Sequence, residues 1–374
     1  MGRLLPLNRH AADAGRAAML AAIEAEATAA DRHDGGLAGA MALLHRNGWL
    51  RACLPSAAGG EGWGCTPAQT KPALQALREL GRANLAVARL FEGHMNAVKL
   101  IALFGSPKCR ARVFGRVADG ALLGVWGADA PDDPVRLEQA GNSFILTGGK
   151  RFASGLDTVA EAVITAVQPE GGVQLAVVPV DEPGRGDPSC WRMAGMRATR
   201  SGAYRMTGLR LNEDDLLGGP DDYFREPNFE GGIWRYCAAH LGGAERLYEL
   251  MRDALVANGR ADDAMQQARI AGAAIAIETA RLWIARAAEA VEATGAPPRT
   301  AALALLAREV TERCGRDVLT LLEQALGMAA HEEGTAIERI RRDLALFLCQ
   351  AAPDAKRARA ARALVEAGGL PEAL

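Results

Sequence analysis

Three patterns of apolar and polar positions follow one another along the chain. Up to about residue 118 the chain reads as helices. Residues 11–30 and 36–47 are rich in Ala, Leu, Glu and Arg, which form helices readily. Residues 54–64 hold five Gly or Pro positions and predict a loop. Helical sequence resumes over 72–82 and 84–104, with Asn84 as the expected N-cap of the second helix. From 119 to 222 the pattern changes. Residues 143–147, 162–167, 173–180 and 203–211 are short and β-prone, and Gly- and Pro-bearing turns separate them. Short strands at close spacing predict a small antiparallel domain. From 223 to 374 the pattern is helical again. Ile270, Ile277, Ile284 and Val291 recur every seven residues, with Ala273, Ala280 and Ala287 between them. Such a seam suits close helix packing. Gly295-Ala296-Pro297-Pro298 forces a break, and Leu303, Leu306, Val310, Leu321 and Leu322 mark the next helix. The predicted fold class is therefore α+β: an N-terminal helical domain (1–118), a central antiparallel β-domain (119–222) and a C-terminal four-helix bundle (223–374).

Composition narrows the function. The 374 residues carry a formal net charge of −2 and are 49% hydrophobic. Nucleic-acid binding would need a basic excess, so it is not expected. No stretch approaches the roughly 20 apolar residues of a membrane span. The N-terminus lacks the apolar core of a secretion signal, so a cytoplasmic protein is expected. The seven cysteines form no CxxC pair and read as free thiols. His331 and Glu332-Glu333 are consecutive on a helix, point in different directions, and predict no metal site. The run Lys356-Arg357-Ala358-Arg359 reads as a solvated face, with a role near a CoA or FAD phosphate as the alternative. Neither a P-loop nor a Gly-x-Gly-x-x-Gly turn is present.

Three groups of residues carry a resemblance. The first is Asn47-Gly48-Trp49-Leu50 with Leu54-Pro55 and Gly59-Gly60. The second is Gly149-Lys150-Arg151-Phe152-Ala153-Ser154-Gly155 with Gly195-Met196-Arg197-Ala198-Thr199. The third is Gln324-Ala325-Leu326-Gly327 with Glu338-Arg339 and Arg342-Asp343. In this order and spacing the chain resembles the acyl-CoA dehydrogenase family of flavoproteins over nearly its whole length. The resemblance implies FAD held between the β-domain and the bundle, and a homodimer or homotetramer. Its implied cofactor contacts are Trp126, Ala128 and Asp129 at a strand end, Phe152 and Ala153 against the ring, and Ser154 near the reactive nitrogen. Gln324 and Gly327 would meet the adenosine and pyrophosphate end from a neighbouring subunit.

One departure bears on the reaction. An acyl-CoA dehydrogenase removes an α-proton with a carboxylate. The two positions where the family carries it fall on Ala351 and about Ile233, and neither side chain takes a proton. Asp354, His94 and Glu230 are the candidate substitutes. No clean match exists for the family arginine that reaches a neighbouring flavin; Arg252 and Arg260 lie nearest. The leading expectation is oxidation of an acyl thioester, possibly of CoA, at Cα–Cβ, with an electron-transfer partner as acceptor. A flavin-dependent monooxygenase, using oxygen and needing no α-proton base, is the alternative. A non-catalytic relative is the third reading.

Overall fold

The computed structural model describes residues 7–32, 35–350 and 352–368. Six helices come first: α1 (Leu7–Ala30), α2 (Ala38–Arg46), α3 (Trp49–Ala52), α4 (Thr70–Ala83), α5 (Leu85–Phe104) and α6 (Pro107–Ala118). The Asn84 side chain accepts from the N–H groups of Ala86 and Val87, which caps α5 as its sequence predicts. Ser106 caps α6, and Pro107 fills its first turn where no N–H is needed.

Ten strands follow: β1 (Leu122–Trp126), β2 (Arg136–Ala140), β3 (Ser143–Thr147), β4 (Gly149–Ala153), β5 (Val159–Val167), β6 (Val173–Pro179), β7 (Gly186–Asp187), β8 (Gly202–Arg205), β9 (Arg210–Leu211) and β10 (Leu216–Leu217). They make a seven-stranded and a three-stranded sheet. Most pairs are antiparallel, but β1 runs parallel to β5, as does the end of β2. The stretch 203–211, expected as one strand, is two. Met206 to Gly208 turn the chain, Gly208 at φ +87°, and β8 and β9 join different sheets. β5 reads as an apolar run because it is central and covered on both faces, not because it alternates.

The last part holds α7 (Trp234–Ala257), α8 (Ala264–Glu292), α9 (Ala301–Leu326), α10 (Ala336–Phe347) and α11 (Pro353–Ala367). The small-residue seam of α8 faces inward, with Ala273, Ala280, Ile284 and Ala287 fully buried. Helices α7, α8, α9 and α10 pack as a bundle, and α4 and α5 lean on α7. Among the described residues no helix is long and apolar enough to cross a membrane.

Backbone meets backbone where α4 crosses α7. A Cβ on Gly242 would lie 2.0 Å from the Arg78 carbonyl oxygen, and one on Gly81 would lie 2.2 Å from that of Ala239. Neither oxygen can step aside, so the glycines fix the interhelix distance. Gly242→Ala is expected to cost about 3 kcal/mol in urea unfolding, since overpacking a tight contact costs roughly 1–3 kcal/mol or more. Gly115→Ala on α6, where a Cβ meets nothing within 4 Å, is expected to stabilise by up to about 1 kcal/mol. Equal effects would refute this account of the crossing.

Candidate functional site

A cavity of about 820 Å³ lies between the β-domain and the helices, lined from α5, β1, β4, the 191–201 loop, the 223–236 segment and the end of α10. The sequence folds toward it through local strain. Phe152 sits at φ +56° where the β4–β8 register slips, a conformation that costs energy and clusters at functional sites. It leaves the Phe152 ring 42% exposed toward the cavity, edge-on to Trp191 at 6.1 Å. Trp126 is buried at the end of β1, and its Nε1 donates to the Ser154 carbonyl at 3.0 Å.

Trp126, Ala128, Asp129, Phe152 and Ser154 all line this cavity, and Ala153 is buried behind them. Asp129 is not a free carboxylate. Lys150, fully buried, reaches it at 2.5 Å and also donates to the Thr165 carbonyl and hydroxyl. Burial lowers the Lys150 pKa, and the Asp129 pair opposes that shift. The lysine thereby pins the strand-end segment to β4 and β5.

The three candidate bases are not among the lining residues. His94 is fully buried and points the other way. Its Nδ1 accepts from the Leu123 N–H at 3.0 Å, so its Nε2 donates to the Leu50 carbonyl at 3.0 Å. Burial lowers its pKa to about 4, against the raising effect of the Leu50 bond. It staples β1 to α3. Glu230 is buried in ion pairs with Lys356 at 2.7 Å and with Arg359. Asp354 is exposed in the first turn of α11, behind Ala352 at φ +51°. Of the two family carboxylate positions, Ile233 lines the cavity and Ala351 lies outside the described residues. Gln324 and Gly327 are exposed at the end of α9, away from the cavity. Arg260 donates to the Ala325 carbonyl beside them, and Arg252 pairs with Asp253. His331 stands 3.9 Å from Glu323, and among the described residues no acidic, Cys and His cluster could hold a metal.

Sequence reading missed a charged wall. Arg89, Glu92, Asn96 and Lys99 form one stripe of α5 at spacings of three and four, all on the cavity. Glu92 accepts from Arg89 at 2.5 Å and from Asn96 at 2.7 Å, and burial raises its pKa against those partners. Behind the stripe, Glu292 accepts from Arg235 at 2.8 Å, from Trp234 at 3.0 Å and from Lys99. The signal was present, because a polar stripe on a helix that is otherwise apolar all round must be paired inside. Tyr223, Phe224 and Phe229 also line the cavity and cluster at 4.7–5.4 Å, with Phe229 edge-on to the other two rings.

Two family patterns that together match more than half of the chain decide the family. The acyl-CoA dehydrogenase N-terminal domain pattern matches residues 8–121, and the C-terminal domain pattern matches 228–348. The chain belongs to the acyl-CoA dehydrogenase family. Among curated relatives, a dibenzothiophene monooxygenase from Mycolicibacterium goodii is 26% identical over 192 residues, 48% of this chain and 44% of that protein. The chain thus spans about half the length of the curated relatives it matches. The family fold is shared with a solved dibenzothiophene monooxygenase from Paenibacillus sp. A11-2, bound to FMN and indole. Its TM-score is 0.82 at 19% identity, over 96% of this chain and 98% of that one. A methanesulfinate monooxygenase from Pseudomonas fluorescens gives 0.80 at 20%, over 96% and 97%.

Proposed function

We propose that this family member is a flavin-dependent monooxygenase that takes reduced FMN and oxygen, rather than an FAD-dependent acyl-CoA dehydrogenase. The observation that carries this reading is the state of the carboxylates around the cavity. Ile233 stands where the family's alternative base would be, and among the described lining residues Glu92 and Asp129 are each tied to a cation. An α-proton abstraction has no free base there. An oxygen transfer needs none. The matched relatives named above are monooxygenases, and the solved dibenzothiophene enzyme carries FMN.

The cavity fits a flavin ring by the chemistry of its walls. Trp126, Phe152 and Trp191 offer flat apolar faces, the Trp191 Nε1 is buried with no partner, and Ser154, Thr199 and Ser201 offer hydroxyls. Reduced flavin supplies two electrons, so that one oxygen atom of O₂ enters the substrate and the other leaves as water. Trp126 and Phe152 would exclude water from the ring, and the Tyr223, Phe224 and Phe229 face would receive an aromatic or sulfur-bearing organic substrate. The exposed positions of Gln324 and Gly327 fit contact with a second copy in a homo-oligomer.

The test supplies externally reduced FMN, oxygen and a heteroaromatic probe such as indole or dibenzothiophene. Oxygenated product with matching oxygen uptake is expected. Anaerobic bleaching of a bound flavin by acyl-CoA thioesters would overturn this reading and restore the dehydrogenase.

A further inference from the structure

A row of three hydroxyls runs along the cavity wall. Ser201 Oγ donates to Ser154 Oγ at 3.0 Å. Thr199 Oγ1 stands 2.8 Å from Ser201 Oγ and donates to the Met196 carbonyl at 2.7 Å. Thr199 and Ser201 are buried, and both border the cavity. The Thr199 end of the row is held rigidly. Met196 sits at φ +54° and Arg200 at φ +42°. The Met196 N–H donates to Asp343 of α10 at 2.5 Å, and Arg342 grips the Ala194 carbonyl at 2.6 Å. A Cβ on Gly195 would lie 2.3 Å from the Arg342 carbonyl oxygen, so the loop is seated directly on that helix.

Each hydroxyl owns one proton and can accept as well as donate. The row therefore has two consistent orderings. In the outward one, Thr199 donates to Ser201, Ser201 to Ser154, and Ser154 offers its proton to the cavity. The Met196 carbonyl then keeps its bond from the Thr199 N–H at 3.2 Å. In the inward one, Ser154 donates to Ser201, Ser201 to Thr199, and Thr199 to the Met196 carbonyl, so Ser154 offers a lone pair to the cavity. As placed, Ser201 is the donor to Ser154, and either hydroxyl can donate between Thr199 and Ser201. The inward ordering therefore needs a small turn of the Ser154 side chain besides rotation about the C–O bonds, and no covalent bond breaks. Without the row, an accepting Ser154 would have to turn its proton to the Phe152 carbonyl at 3.5 Å, the outer limit of a hydrogen bond.

We infer that Thr199 and Ser201 are positioning residues that let Ser154 match both hydrogen-bonding states of a flavin, whose reactive nitrogen accepts when oxidised and donates when reduced. This inference rests on the proposal that the cavity holds flavin. Thr199→Val removes the Thr199 acceptor and locks Ser201 as a donor to Ser154, which leaves Ser154 outward-donating. The variant should lose affinity for the reduced form alone.

The experiment measures the dissociation constant of oxidised FMN by fluorescence quenching, and that of reduced FMN anaerobically, for wild type, Thr199→Val, Ser201→Ala and Ser154→Ala. Thr199→Val is expected to weaken reduced FMN about tenfold, the size of one net hydrogen bond, and oxidised FMN less than threefold. Ser201→Ala should skew the ratio in the same direction, and Ser154→Ala should weaken both forms. Equal weakening of both forms by Thr199→Val and Ser201→Ala, or none, overturns the relay. Wild type binding neither form overturns the flavin reading itself, and the relay with it.

Discussion

Acidification from pH 7 to 4 is expected to cost the folded protein about 3 kcal/mol net, through two buried histidines. Burial lowers His94 to about 4, and burial with the nearby Arg308 and Arg89 charges lowers His240 to about 3. Below the ordinary histidine pKa of about 6.5 the unfolded chain takes up protons that the folded one refuses. Stability is therefore complete above that pH and falls as pH drops toward the folded values. Each histidine contributes a loss of about 3 kcal/mol by pH 4, at about 1.4 kcal/mol per pH unit. Asp343 acts the other way. Burial raises it to about 6, outweighing the Met196 N–H bond, so it gains a proton in the fold between pH 6 and 4 and returns about 3 kcal/mol. His240 is the residue to change, because its Nε2 is buried without a partner and its ring lies edge-on to Phe347 at 4.2 Å. His240→Leu should keep the pH 7 stability and remove most of the acid loss. Urea unfolding at pH 7, 5.5 and 4 checks this; the same decline in both proteins would refute it.

The residues differ in how far their sequence alone betrays them. Asn84 capping α5, the α8 seam and the break at Gly295 to Pro298 follow from local rules, and the structure carries all three. The Lys150 to Gly155 run was legible because one short segment delivers Phe152 and Ser154 to the same wall. His94 drew attention as an imidazole on a helix. Two residues away, Glu92 is the side chain that reaches the cavity. A shift of two positions turns a helix by about 200°, and only the packing of α5 against β1 and α3 says which face is which. Arg235 and Glu292 are 57 positions apart, and no local pattern pairs them. The split of 203–211 into two strands also escaped, because Met206 to Gly208 carry only a weak turn signature.

The second large effect is expected at Glu292. Its carboxylate is 2% exposed and is the shared acceptor for Arg235, Lys99 and Trp234. Burial alone would raise its pKa, yet the Arg235 and Lys99 charges outweigh burial and hold it below the usual value. Burial lowers Lys99 in turn, against the pull of Glu292. Glu292→Leu would leave two cations at the cavity wall with no counter-charge. Removing one partner of a buried pair costs about 3–5 kcal/mol, because the survivor stays desolvated and unpaired. Glu278→Leu on the same helix breaks only an exposed pair with Arg281 and should change little. Adding Arg235→Met to Glu292→Leu separates the causes. If the loss comes from stranded charge, the double variant recovers most of it, since apolar replacement of a whole buried pair is often near neutral. If it comes from lost packing, the double variant is worse than the single. Because Lys99 and Arg235 both line the cavity, Glu292→Leu should also weaken whatever the cavity binds, and Glu278→Leu should not. Urea midpoints and FMN titration of the three variants decide the matter, and equal stability of Glu292→Leu and Glu278→Leu would dismiss the buried network as a source of stability.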